Sequence, residues 1–247
     1  MIDRMPSSET RTLGEQAYRV MRQMIVAGEL PAGQWLRKRA MARKLRMSTT
    51  PVVEAIRRLE HDGLVQSDSP WGARVRIFTV PEIFELASIR VVLEGLVARC
   101  AATRLTAEQT QRLRKMAIRV DETDSDLSDL SRGGKLPLGT PASEDMNLHL
   151  KLAEETGLPI LRQELERLQI LKATCRAWLA PAIQSSVTHV DIINAIASGD
   201  PDRAEMVMRK HIQENIDAYI PSLRKRFGEG PVAENGHVGG NFPRENL

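Results

Sequence analysis

The sequence predicts a mainly α protein in two parts, a short front of three helices and a hairpin followed by an all-α antiparallel helical bundle. Three observations carry this. After about residue 80 the apolar residues recur with helical periodicity almost without interruption, while aromatic residues make up only 4% of the chain and alternating β-branched runs are few. Helix-start signals recur through the same region. The one stretch patterned as paired strands, LVQS and ARVRI on either side of DSPWG, lies before it, within residues 64–77.

Taken in order, residues 1–11 carry no apolar period and are read as a flexible N-terminus. Gln16 to Ala27 is amphipathic through Tyr18, Val20, Met21, Met24 and Ile25, and Gly28 ends it. LPAGQWL is a turn, and Arg39 to Leu45 a short helix. A third helix follows, with Ser48 as N-cap, Pro51 in its first turn, Val52, Ala55, Ile56 and Leu59 on the inner face, and Gly63 at its close. Three helices and a hairpin make a winged helix-turn-helix, residues 12–76, whose third helix suits a major groove. A linker at 77–79 leads to helices at about 80–103, 107–124, 141–156, 159–180, 186–198 and 201–220. Thr79 with Glu82 and Thr106 with Gln109 read as capping boxes, and Asp200 before Pro201 as an N-cap with a first-turn proline. SRGGKLPLGTP, 131–141, is loop. The bundle spans 80–226, and the tail from 227 to 247 has no apolar period and is read as disordered.

Charge divides the same way. Residues 1–76 hold 14 Lys and Arg against 8 Asp and Glu, net +6, and the remaining 171 hold 21 against 24, net −3. A basic front on a mildly acidic back suits a polyanion binder joined to something else. There is no apolar run of about 18 residues and no signal-peptide core, so the expected compartment is the cytoplasm, without membrane contact. Cys100 and Cys175 sit in amphipathic helical patterns and are read as reduced core residues.

The run IVAGELPAGQWL, then STTPVVEAIRRLEHDGLV, then Trp71-Gly72 with Val75 closely resembles the DNA-binding domain of GntR-family transcription regulators over about residues 14–77. Gly28, Leu30, Pro31, Gly33, Leu36, Pro51, Val52, Glu54, Ala55, Leu59, Gly63 and Leu64 keep the family spacing. Downstream, IRVVLEGLVARCAATRLTAEQ, EDMNLHLKLAEETGLPIL, THVDIINAIASGD and AEMVMRKHI resemble the helical (FCD-type) effector domain of the FadR-type branch. The resemblance implies a homodimer on a pseudo-palindromic double-stranded DNA operator. Arg39 matches a DNA-contacting arginine of the family, with Ser48, Thr50 and the tip residues Trp71 and Gly72 beside it. Thr49 and Val53 stand where most members carry arginine, so the expected operator differs from the commonest site. Arg57 and Arg58 either reach DNA or form a solvated helix face, and Trp71 touches either the groove or the neighbouring domain.

In the bundle, Asp145 and His149 are one helical turn apart. His189 precedes the stripe Ile192, Ile193 and Ile196, and His211 follows Ala204, Val207 and Met208, so each imidazole projects from an apolar face. A single such histidine is ordinarily a satisfied core residue. The four matching positions of the family's metal-containing members imply that Asp145, His149, His189 and His211 hold a divalent transition metal, most readily zinc, with nickel and manganese the other ions this ligand set suits. Arg90 either anchors a carboxylate in the cavity or pairs with Glu94, and Asn194 stands where many relatives carry an acid, beside the expected effector. A metal-dependent hydrolase would need a general base at the ion, and helical phase turns Glu144 and Glu154 away. The reading is a repressor, not an enzyme, released by a small carboxylic acid at or near the metal. The alternatives are a regulator sensing the ion itself and, third, the hydrolase.

Overall fold

A computed structural model describes residues 12–68, 72–130, 141–175 and 185–232, with side chains except at 68, 123–130, 141–143 and 169–175. The expected flexible N-terminus, Trp71, most of the 131–141 loop and the tail beyond residue 232 lie outside the described residues.

The front holds α1 (Leu13–Val26), β1 (Trp35–Leu36), α2 (Lys38–Leu45), α3 (Thr49–His61), β2 (Val65–Asp68) and β3 (Gly72–Val75). Its core is Ala17, Met21, Met24 and Ile25 of α1 against Val52, Ala55, Ile56 and Leu59 of α3, closed by Leu36, Leu64 and Val75. Burying these apolar side chains is what holds three such short helices together. Two expectations need correction. Val20, expected in the core, is 41% exposed, because the turn of α1 toward α3 brings Ala17 inward instead. LPAGQWL is more than a turn: its last residues pair with β3, Trp35 opposite Arg74 and Leu36 opposite Ala73, so the hairpin is a three-stranded antiparallel sheet of order β1-β3-β2. Two residues of pairing leave too short a run for alternation to show.

The bundle holds α4 (Val80–Arg104), α5 (Ala107–Leu130), α6 (Pro141–Glu155), α7 (Pro159–Cys175), α8 (His189–Ala197) and α9 (Pro201–Phe227). α4 packs along α9 and touches α6, α7 and α8. Thr79 and Glu82 form the expected capping box, Thr106 and Gln109 exchange the same pair of bonds, and Asp200 caps α9 ahead of Pro201. α9 runs on through Pro221 to Phe227, past the expected end at 220.

The segment after α9 departs from the disordered tail that its composition predicts. Thr79 bridges Pro231, Val80 N–H donates to Gly230 O at 3.2 Å, Val232 N–H donates to Phe78 O at 2.8 Å, and the Val232 side chain is buried. Residues 228–232 thus fold back over the linker, where Phe78 is itself buried beneath the Arg76 guanidinium. A second tie between the halves runs from Arg22 of α1 to Glu166 of α7 at 2.8 Å. Cys100 is a partly buried free thiol, and the Cys175 side chain lies outside the described residues.

Candidate metal centre and nucleic-acid interface

Faces of three helices bring four side chains together inside the bundle. Asp145 and His149 come from α6, His189 from the first turn of α8 and His211 from the middle of α9. One ligand atom from each lies within 4.8 Å of all the others. Asp145 Oδ1 is 3.3 Å from His149 Nε2 and 3.1 Å from His189 Nε2. The imidazoles are buried, whereas Asp145 keeps 21% of its side-chain exposure, so solvent approaches the cluster along the carboxylate.

The Nδ1 atoms are held from outside the cluster. His189 Nδ1 is 2.7 Å from Asp121 Oδ1, His211 Nδ1–H donates to Val187 O at 2.8 Å, and His149 Nδ1 pairs with Glu94. Each outer partner fixes a ring and leaves its Nε2 facing the other ligands, the arrangement that orients metal-binding histidines. Asp121 also accepts from the backbone N–H groups of His189 and Val190, both at 3.0 Å, so one carboxylate aims the ring and satisfies the free N-terminal amides of α8. Asp121 was not singled out in the sequence, and Glu94 only as a possible partner of Arg90.

The electrostatics favour a cation. Burial disfavours a charged imidazole, yet His189 is pushed up to about 10 because Asp121 and Asp145 outweigh that penalty, and Glu94 and Asp145 likewise raise His149. His211 falls to about 4, through burial and then the neighbouring His189 and His149. Burial pushes the Glu94 carboxyl up, but Arg90 and His149 hold it down at about 2. A borderline N/O donor set with carboxylates behind it fits a divalent transition ion.

Arg90 resolves in favour of pairing: it is 4% exposed and its Nε donates to Glu94 Oε1 at 2.7 Å, which makes a buried chain Arg90–Glu94–His149. Asn194 is not brought to the cluster. It lies on the exposed face of α8, opposite the Ile192, Ile193 and Ile196 side, and Arg114 Nε donates to its Oδ1 at 3.4 Å. Asn215 is the polar amide that does reach the cluster, its Nδ2 3.4 Å from His211 Nε2 one turn along α9. Glu144 and Glu154 are exposed, the latter held by Lys151 at 3.1 Å.

At the front, Thr49, Val53 and Arg57 follow one another at four-residue intervals along α3, Thr49 and Arg57 exposed and Val53 half-buried. Ser48 caps α3 by its backbone conformation with no side-chain cap bond, and its residue is exposed, as is Thr50. Arg39 lies exposed on α2 among Arg37, Lys38, Arg43, Lys44 and Arg46, and none of these six forms an ion pair among the described residues. Arg57 and Arg58 part company. Arg57 is exposed, whereas Arg58 pairs with Glu15 and lies 4.4 Å over the Tyr18 ring, holding α3 to α1. Gly72 opens β3 at φ 109, in the region that favours glycine.

The comparisons with known proteins agree with both halves. Residues 13–75 match the family described as bacterial regulatory proteins, gntR family, and residues 85–214, more than half the chain, match the FCD domain. The chain is 27% identical over 205 residues to the probable D-xylose utilization operon transcriptional repressor of Paenarthrobacter nicotinovorans, covering 83% of this chain and 85% of that one. It is 25% identical over 205 residues to the Nta operon transcriptional regulator of Aminobacter aminovorans (81% and 91% covered) and 26% identical over 226 residues to the transcriptional repressor RspR of Escherichia coli K12 (87% and 92%). Among solved structures, E. coli McbR/YncC matches with a TM-score of 0.66 at 18% identity, covering 88% of this chain and 99% of that one. A putative GntR regulator from Rhodococcus sp. RHA1 matches at 0.65 and 18%, covering 87% and 98%. At that identity the structural likeness speaks for the fold.

Proposed function

Because this chain belongs to the GntR family of bacterial transcription regulators, with an FCD domain behind its winged helix, we propose that it is a cytoplasmic repressor released by a small carboxylic acid bound at a metal centre. The observation that supports this reading is the orientation of the three imidazoles, each with a partner at Nδ1, with the Nε2 atoms of His149 and His189 turned toward Asp145 and a ligand atom of His211 within 4.8 Å of the other three.

Asp145, His149, His189 and His211 would hold a divalent ion, zinc by preference, and the ion would supply Lewis-acid coordination for a carboxylate. The protein's own residues do the rest. Asp121, Glu94 and Val187 O hold the rings, and Arg90 neutralises Glu94. Asn215 offers an amide beside His211. On DNA, Arg39 and the cations around it meet phosphates while Ser48, Thr49, Thr50, Val53 and Arg57 face the groove, with Gly72 at the wing. Domain boundaries of 12–76 and 80–226 serve this division. A homodimer on a pseudo-palindrome follows from one recognition helix per chain. The acid acts by binding the DNA-incompatible arrangement more tightly, which shifts the population.

The test is calorimetric titration of small carboxylates into zinc-loaded and chelated protein, followed by operator binding with each acid that binds. D-xylose joins the panel because one relative is named for a D-xylose utilization operon. Binding that requires zinc and lowers operator affinity is expected. Equal affinity in both forms leaves the ion a structural staple, and operator affinity that changes with zinc alone makes the ion itself the signal.

A further inference from the structure

His211 is aimed by a backbone carbonyl, Val187 O, and a carbonyl aims a ring only as firmly as its own residue is held. Val187 stands ahead of α8, outside any helix, so no helical ladder fixes it. What reaches it is a carboxylate from α9. Glu214 accepts from Ser185 Oγ–H at 2.7 Å, from Ser186 N–H at 2.8 Å and from Ser186 Oγ–H at 2.9 Å. Ser185 Oγ in turn accepts from Val187 N–H at 3.0 Å. Val187 is thus held at both backbone groups, its N–H through Ser185 to Glu214 and its C=O by His211 Nδ1–H at 2.8 Å.

We propose that Glu214 is a positioning residue for the metal centre, acting through Ser185 and Val187 to hold the His211 ring with its Nε2 lone pair toward the ion. This role rests on the metal reading above. Glu214 and His211 stand three residues apart on α9, so neighbouring positions of one helix face make both contacts, and the segment cannot slide along α9 without breaking one of them. A carbonyl oxygen only accepts, so His211 carries its proton on Nδ1 and leaves the Nε2 lone pair for an ion. The Asn215 amide donor, 3.4 Å from that Nε2, suits the same tautomer. The segment then runs directly into His189, where Asp121 takes the backbone N–H groups of His189 and Val190. Carboxylates from α9 and α5 therefore fasten residues 185–190 at their two ends, and two of the three imidazoles depend on where that segment sits. Lys210, the other partner of Glu214, is 3.6 Å away and 57% exposed, a surface pair that contributes little. The serines engage the carboxylate more closely, and Ser185 and then Ser186 hold it down at about 2.

The experiment uses the full chain, zinc-loaded and chelated. In competition against a chromophoric chelator, Glu214→Ala should bind zinc about 10-fold more weakly than wild type, the lower end of such losses because two groups stand between Glu214 and the ring. Ser185→Ala cuts the same chain at its next link and should also lower the affinity, and the double variant should lose less than the sum of the two. Glu214→Gln keeps an acceptor oxygen for Ser185 and should recover most of the loss. Lys210→Ala should bind as wild type does. In the chelated protein, imidazole-nitrogen NMR should find His211 protonated at Nδ1 in wild type and divided between its two nitrogens in Glu214→Ala, a change that a merely stabilising loop contact would not produce. Zinc affinity within twofold of wild type in both Glu214→Ala and Ser185→Ala overturns the positioning role. So does a fall in affinity with His211 still protonated at Nδ1 alone, which makes Glu214 a loop fastener and nothing more. A wild-type protein that binds no zinc removes the metal reading, and the tautomer comparison then decides by itself whether Glu214 positions His211.

Discussion

Asp121→Ala separates a metal centre from a fortuitous cluster of histidines. The wild-type carboxylate accepts from His189 Nδ1 at 2.7 Å and from the backbone N–H groups of His189 and Val190 at 3.0 Å each. Removing it does two things of different size. The first turn of α8 loses an anionic acceptor, a capping-type loss of about 0.5–2 kcal/mol. Asp121 keeps 23% of its side-chain exposure, so water replaces part of that loss and the lower half of the range applies. The imidazole of His189 loses the group that sets its tautomer and aim, and second-layer losses of this kind lower metal affinity about 10- to 100-fold, equivalent to about 1.4–2.7 kcal/mol. The assay is zinc competition against a chromophoric chelator, with thermal melting of the zinc-loaded and chelated forms. Asp121→Asn keeps Oδ1 as a neutral acceptor and gives up the charge, so its affinity should lie between wild type and alanine. Zinc affinity within twofold of wild type in Asp121→Ala, alongside its loss in His149→Ala, would refute the argument that the carboxylate orients His189.

Three further expectations concern other parts of the molecule. Arg39→Ala should weaken operator binding by about 1–3 kcal/mol, with a salt slope smaller by about one if the contact is a phosphate, whereas Arg58→Ala should lower the melting temperature of the winged half at unchanged affinity; footprint titrations at several salt concentrations decide. Arg90→Met leaves Glu94 buried beside His149 alone, and chemical denaturation of the chelated protein should show a loss of about 3–5 kcal/mol, the scale for breaking a buried pair from one side. Tyr18 is pushed up from 10.0 to about 12 by burial and then by its 2.5 Å hydrogen bond to Asp62. A folded value above the unfolded one means that this contribution is whole below pH 10 and is lost as pH rises through about 12. Tyrosinate absorbance should therefore show a late phase that Tyr18→Phe removes, and a titration identical in both proteins would contradict it.

The parts of this molecule that were legible in the sequence are those written in short-range spacing. Thr79 with Glu82 and Thr106 with Gln109 announce helix starts within four residues, and the inner face of α3 follows from a single helical period. The four candidate ligands were legible for a related reason, since a polar group on an apolar stripe stands out against its neighbours. Asp121 and Glu94 escaped because what marks them is tertiary. Asp121 sits on α5 beside the exposed Glu122, and only the arrival of α8 gives it a task. Glu94 was noticed only as a neighbour of Arg90, although a carboxylate in the buried stripe of α4 needs two partners to be satisfied. Asn194 misled in the opposite direction, because resemblance placed it near an effector while the phase of α8 turns it outward. The return of residues 228–232 had no periodic signature, since two β-type hydrogen bonds and one buried valine form no pattern.

That return makes the join between the two halves a double strand. A single linker of three residues would let the winged half swivel about several backbone torsions, but Phe78 and Val80 are each hydrogen-bonded to a chain arriving from α9. The bundle is closed like a buckle where residues 228–232 meet the linker, and the DNA-reading half is held there and by the Arg22–Glu166 pair. The helix that carries His211 is therefore joined, through residues 228–232, to the backbone that leads into the winged half. Because half-sites on DNA lie about 34–36 Å apart, the spacing of two recognition helices depends on how each winged half is held at this join.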